Sequence, residues 1–130
     1  MRTIKFRAWS VDCNWMIYFD LKEYAYDQDG EQGKNNIDID KMPLMQFTGL
    51  LDKTGKEIYE GDIIHRCNGY DWIVEWSDKL LAIAIRRLRN KTHPYLDEVY
   101  ATLGDTLQWD GVKVEVLGNI YENPELLDPK

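Results

Sequence analysis

Side chains suited to chemistry are scarce in this chain. Among its 130 residues are two cysteines (Cys13 and Cys67), two histidines (His65 and His93) and two serines (Ser10 and Ser77). Neither serine lies in a Gly-x-Ser-x-Gly elbow. His65 and Cys67 are two residues apart, and on a strand such side chains stand ~6–7 Å apart, too far for the hydrogen bond that activates a thiol. No Cys-x-x-Cys or His-x₃-His pair accompanies them, which argues against zinc. Asp27, Asp29 and Glu31 alternate as in a calcium loop, but Gln32 stands where such a loop needs glycine. In a reducing compartment the cysteines are expected to stay thiols. No catalytic residue, cofactor or metal ligand is expected.

Long apolar runs are also missing. The longest, Leu80 to Ile85, is far short of the ~18 residues that span a bilayer. The opening Met1-Arg2-Thr3-Ile4-Lys5-Phe6-Arg7 has no apolar secretory core behind it. A soluble, cytoplasmic protein with no membrane partner is the expectation. Basic residues are the minority, 16 against 23 acidic, for a net charge of −7 and a pI of about 4.8. That balance disfavours a nucleic-acid coating protein, because phosphate binding is driven by basic charge. One stretch departs from it. Residues 79–93 hold Lys79, Arg86, Arg87, Arg89 and Lys91 and no acid, leaving −12 on the rest of the chain.

Aromatic residues are plentiful, with five Trp and eight Tyr, and hydrophobic residues make up 44%. That content argues for a folded chain, and the length for a single domain over residues 1–130. Ile4, Phe6 and Ala8 alternate with Lys5, Arg7 and Trp9, a strand period, and Trp15 to Phe19 forms the natural return. An N-terminal hairpin over residues 1–19 follows. Residues 20–42 read as a long acidic connection. A β core is expected over residues 43–123. Within it Ile63 to Cys67 and Tyr70 to Trp76 flank Asn68-Gly69, a two-residue type I′ turn signal. Leu80 to Arg87 and Val112 to Leu117 supply further strands, with one helical turn near Leu103–Leu107. Asn123-Pro124 starts a short helical turn, because proline suits a first helical position. The fold class is mainly β, a small barrel or sandwich with a terminal turn or tail at 124–130; Glu60-Gly61-Asp62-Ile63 resembles the first strand of SH3-like barrels, which implies a barrel of that kind.

Asp52-Lys53-Thr54-Gly55-Lys56 imitates the aspartyl-phosphate site of ion pumps, but Lys56 stands where that motif has threonine. It also fails as a phosphate loop, which needs four residues between its glycines; Gly49 and Gly55 have five. A hairpin turn is the reading. Glu60 and Asp62 share a strand face, as many carboxylate pairs must in so acidic a chain. The candidate binding surface is the basic segment with its neighbouring tryptophans: Arg86, Arg87, Arg89, Lys91, Trp72 and Trp76.

Three segments carry a resemblance. They are Ile4-Lys5-Phe6-Arg7-Ala8-Trp9; Met45-Gln46-Phe47-Thr48-Gly49-Leu50 through Asp52-Lys53-Thr54-Gly55-Lys56-Glu57-Ile58-Tyr59-Glu60-Gly61-Asp62-Ile63; and Val116-Leu117-Gly118-Asn119-Ile120-Tyr121-Glu122-Asn123-Pro124-Glu125-Leu126-Leu127. Together, in this order, the chain resembles the YopX-like family of small phage and prophage proteins. The resemblance implies a β-rich fold and a temperate-phage context in Gram-positive bacteria, with no reaction or catalytic residues to carry over. The combined expectation is a non-enzymatic accessory protein that binds a host or phage protein. The alternative is a nucleic-acid or nucleotide binder using residues 79–93. Exposed β edges leave self-association open.

Overall fold

The computed structural model describes residues 3–20, 41–66, 70–88, 100–104 and 114–127. Among the described residues, nine strands form two antiparallel sheets. The first takes β1 (Lys5–Ser10), β2 (Trp15–Asp20), β3 (Leu44–Leu51) and β4 (Glu57–Tyr59) in the order β2-β1-β3-β4. The second takes β5 (Asp62–Arg66), β6 (Asp71–Ser77), β7 (Ala82–Arg87), β8 (Tyr100–Thr102) and β9 (Val114–Asn119) in the order β8-β7-β6-β5-β9. A 3₁₀ turn, Pro124–Leu127, begins on the proline as expected. The mainly β expectation is met, and the terminal turn with it.

The N-terminal hairpin pairs from Lys5 opposite Asp20 to Ser10 opposite Trp15. Asn14, at φ 58°, closes its turn by donating its N–H to the Ser10 carbonyl. Asparagine tolerates that left-handed geometry better than most residues. One cluster lies on the Phe6 face of β1, where Ala8, Ile17 and Phe19 are buried with Phe6 and Met42 against them. The alternation anticipates a solvated opposite face. Instead Arg7 and Trp9 are buried too. β1 is a central strand, with β2 on one side and β3 on the other, and both of its faces are covered.

The main cluster belongs to the second sheet. Ile64, Trp72, Val74, Ile85 and Val114 share one face, and Ile58 from β4 packs onto it with Leu103 and Leu50. The β3–β4 hairpin therefore covers the inner face of β5–β9. β3 carries a bulge between Phe47 and Leu51, where Gly49 adopts φ +87°. That extra twist swings the hairpin out of its own sheet. The chain passes between the sheets at Glu60-Gly61. Gly61 has φ +86° and donates its N–H to the Val74 carbonyl at 2.7 Å. A Cβ there would stand 2.9 Å from Met45 Sδ, so glycine is required by both conformation and space.

Several sequence expectations shift. Strand β7 starts at Ala82 rather than Leu80, because Leu81 sits at φ 53° in the preceding turn. The β5–β6 register sets His65 opposite Asp71, and the Arg66 N–H donates to the Tyr70 carbonyl. The two-residue turn expected at Asn68-Gly69 lies outside the described residues. The acidic segment 21–40, Cys67, Arg89, Lys91 and the turn expected at Asp110-Gly111 lie outside the described residues.

Candidate functional site

β2 and β4 are the outer strands of the first sheet, ~14 Å apart if it were flat. Yet Tyr18 of β2 and Tyr59 of β4 meet edge to face, with ring centroids 5.6 Å apart. The sheet is curled into a half-barrel, and Arg7 stands in the middle of its concave face. The Arg7 Nη2 donates to Asp62 Oδ1 at 2.7 Å and to the Glu60 carbonyl at 3.0 Å. Its guanidinium lies 4.8 Å from the Tyr59 ring centroid. Asp62 Oδ2 in turn accepts the Tyr59 backbone N–H at 2.8 Å. Both charged side chains are only 3% exposed. Burial pushes the Asp62 carboxyl above its ordinary range, and the Arg7 charge works against that rise. The Tyr59 hydroxyl is pushed up to about 12 by burial and by the nearby charge of Glu57. Beyond Arg7, Trp9 stacks on Tyr121 at 5.8 Å. This cluster joins β1 of one sheet to β5 of the other.

Above it opens a groove of about 280 Å³ lined by Lys5, Tyr18, Phe19, Asp20, Glu57 and Tyr59. Lys5 Nζ crosses its mouth to Glu57 Oε2 at 2.6 Å and lies 5.5 Å over the Phe47 ring. Tyr18 is 53% exposed there.

A second buried carboxylate organises the turn at Asp52-Lys53-Thr54-Gly55-Lys56. Asp52 Oδ1 accepts from the Thr54 and Lys56 backbone N–H groups and from the Thr54 hydroxyl, all at 2.7–2.9 Å. Its Oδ2 accepts the Val116 N–H at 2.9 Å, tying the hairpin to β9. Burial alone raises its pKa; the donors, Val116 foremost, outweigh that and hold it at about 2. The turn reading is upheld, and no phosphate-type chemistry is needed to explain the aspartate.

The basic candidate surface is divided by the sheet. Arg86 and Arg87 are adjacent on β7, so they point to opposite faces. Arg86 pairs with Glu75 at 2.8 Å on the outer face. Arg87 lies on the inner face, 4.7 Å from the Tyr70 ring and 5.8 Å from the Trp72 ring. Arg66, which the sequence reading passed over, lies 5.2 Å from that same Trp72 ring. Trp72 itself is 4% exposed and belongs to the core, not to a binding surface. Trp76 is half exposed near the far end of β6, and its Nε1 donates to Asp78. Beside it the β6–β7 turn leaves Leu80 and Leu81 in solvent, Leu81 at 76%. The β1–β2 turn does the same with Val11 and Trp15. His65 is hydrogen-bonded to Asp71 at 2.8 Å. Among the described residues, no group of three or more His, Cys, Asp or Glu side chains is placed to hold a metal ion, and no helix is long and apolar enough to cross a membrane.

Arg7–Asp62 and the half-barrel groove escaped sequence reasoning. The available signal was an arginine flanked by Phe6, Ala8 and Trp9 within the first strand.

None of the curated proteins matches the chain. Among solved structures, the crystal structure of protein EF1440 from Enterococcus faecalis is similar, with a TM-score of 0.56 and 27% sequence identity. That similarity covers 98% of this chain and 100% of the other. Residues 5–128 match the YopX protein family, nearly the whole length, and the chain belongs to that family.

Proposed function

We propose that this protein is a non-enzymatic accessory protein of phage or prophage origin, acting in the bacterial cytoplasm by binding a host protein. The observation that supports the reading is the placement of large apolar side chains in water at two hairpin tips. Trp76, Leu80 and Leu81 occupy the β6–β7 tip, and Val11 and Trp15 the β1–β2 tip. Leu81 also holds φ 53°, a conformation that costs a β-carbon-bearing residue ~1–2 kcal/mol. A fold that keeps a strained leucine in solvent, where glycine or asparagine fits more easily, has a use for that side chain.

Hydrogen exchange of the full chain with and without host lysate tests the reading. Protection concentrated at residues 76–83 or 11–16 is the expected result. An unchanged exchange pattern at both tips overturns it.

A nucleic-acid or nucleotide binder is the second reading. It is favoured by the two guanidiniums of Arg66 and Arg87 gathered around Tyr70 and Trp72 at one end of the inner face. It requires Arg66→Glu or Arg87→Glu to abolish binding, and binding that weakens with added salt.

A further inference from the structure

We propose that the outer edge of β2 pairs with the same strand of a second copy of this chain, joining two half-barrels across a two-fold axis. The proposal goes beyond the host-protein reading and rests on the backbone of the N-terminal hairpin. β1 lies between β2 and β3, and its Trp9 N–H donates to the Pro43 carbonyl on the β3 side. By alternation Phe6, Ala8 and Ser10 turn their backbone groups toward β2. Their register partners Phe19, Ile17 and Trp15 turn back toward β1. Met16 and Tyr18 therefore point their N–H and C=O groups away from the sheet. Among the described residues, no strand lies beyond them and none bonds these groups.

The other outer strands are guarded. β4 and β8 are three residues long. Along β9 the Val114 carbonyl accepts the Lys53 N–H, and the Val116 N–H donates to Asp52 Oδ2. β2 has none of the usual protection of an edge. Trp15 to Phe19 holds no charge and no proline, and the ladder to β1 runs from end to end without a bulge. Trp15 is 60% exposed and Tyr18 53%. The strand is also complementary to itself. A two-fold axis at Ile17 sets Met16 opposite Tyr18 of the second copy, and Tyr18 opposite its Met16. Each such pair exchanges two N–H···O bonds and sets a thioether against an aromatic ring. On the other face Ile17 meets Ile17 and Trp15 meets Phe19. Asp20, the strand's one charged residue, falls opposite Asn14 rather than a like charge. One strand per copy is a small contact, so the dimer is expected to be reversible.

The test is sedimentation and amide hydrogen exchange of the purified full chain over a concentration series, under reducing conditions that prevent a disulfide through the exposed Cys13. The mass is expected to rise from 15.4 kDa toward twice that value. Exchange at the Met16 and Tyr18 amides is expected to slow in step, while the Ile17 amide, turned toward β1, is slow throughout. Tyr18→Lys puts a charge on the edge and is expected to abolish the association, with core amide signals unchanged as the check on folding. Leu81→Asn, in the other sheet, is expected to leave it intact. Four results overturn the proposal: a chain monomeric throughout, a dimer whose Met16 and Tyr18 amides exchange as in the monomer, protection of those amides already complete in the dilute monomer, or a Tyr18→Lys variant that associates like the native chain. The series contains no host protein, so its failure leaves protection of the β6–β7 tip by lysate untouched, and the reverse holds.

Discussion

Arg7 and Asp62 form a buried ion pair on which much of the fold's stability turns. Each is almost wholly removed from water; they hold each other and backbone groups of residues 59–60, and the Arg7 guanidinium lies over the Tyr59 ring. Desolvating two ions costs several kcal/mol apiece, repaid only while both are present. Arg7→Met is therefore expected to lower the unfolding free energy by ~3–5 kcal/mol in urea titrations, since it strands a buried carboxylate. Adding Asp62→Leu is expected to recover most of that loss, because two apolar side chains can occupy the site without stranding a charge. A double variant as unstable as the single one contradicts this account. Asp52 acts differently, through four donors on one carboxylate. Asp52→Asn keeps one oxygen but turns an amide toward the Val116 N–H, at an expected cost of ~1–3 kcal/mol. The folded pKa of Asp52, about 2, lies below its ordinary 3.8. The stability it contributes is therefore fully present above about pH 4 and lost as pH falls toward 2. Acid titrations of native and Asp52→Asn protein are expected to converge over that window; a constant gap contradicts the assignment.

At the scale of the elements, turns do much of the positioning. Gly61→Ala has to accept a positive φ and a clash with Met45 at the crossing between sheets. A loss of ~2 kcal/mol or more is expected by chemical denaturation. The β6–β7 turn behaves in the opposite sense. Leu81→Asn relieves the left-handed leucine and is expected to raise stability by ~0.5–1 kcal/mol while weakening partner contact. A variant less stable than the native chain contradicts the strain argument. Most strands were legible in the sequence, because alternation marks β1, β2, β6 and β9, and Asn123-Pro124 marks the last turn. The same alternation already assigns Arg86 and Arg87 to opposite faces, so these two arginines do not share one surface. Arg7 was not legible, because alternation hands polar residues to solvent and says nothing of how far a sheet curls. The groove depends on that curl and was hidden with it. Asp52 was read as a turn residue, but its bond to Val116 spans 64 positions, beyond any local pattern.

At the scale of the whole molecule, the β3–β4 hairpin serves both sheets. It is hydrogen-bonded to β1, covers the inner face of β5–β9, and leads into the Gly61 crossing that Arg7 and Asp62 hold shut. From this arrangement the two hairpin tips present Trp76, Leu80, Leu81, Val11 and Trp15 to solvent. The most direct measurement is native mass spectrometry of the tagged protein recovered gently from a bacterial host. The account predicts a stoichiometric complex with a host protein that disappears in a Trp76→Ser, Leu81→Asn variant. A bare chain, or one carrying only a nucleotide-sized excess mass, contradicts it.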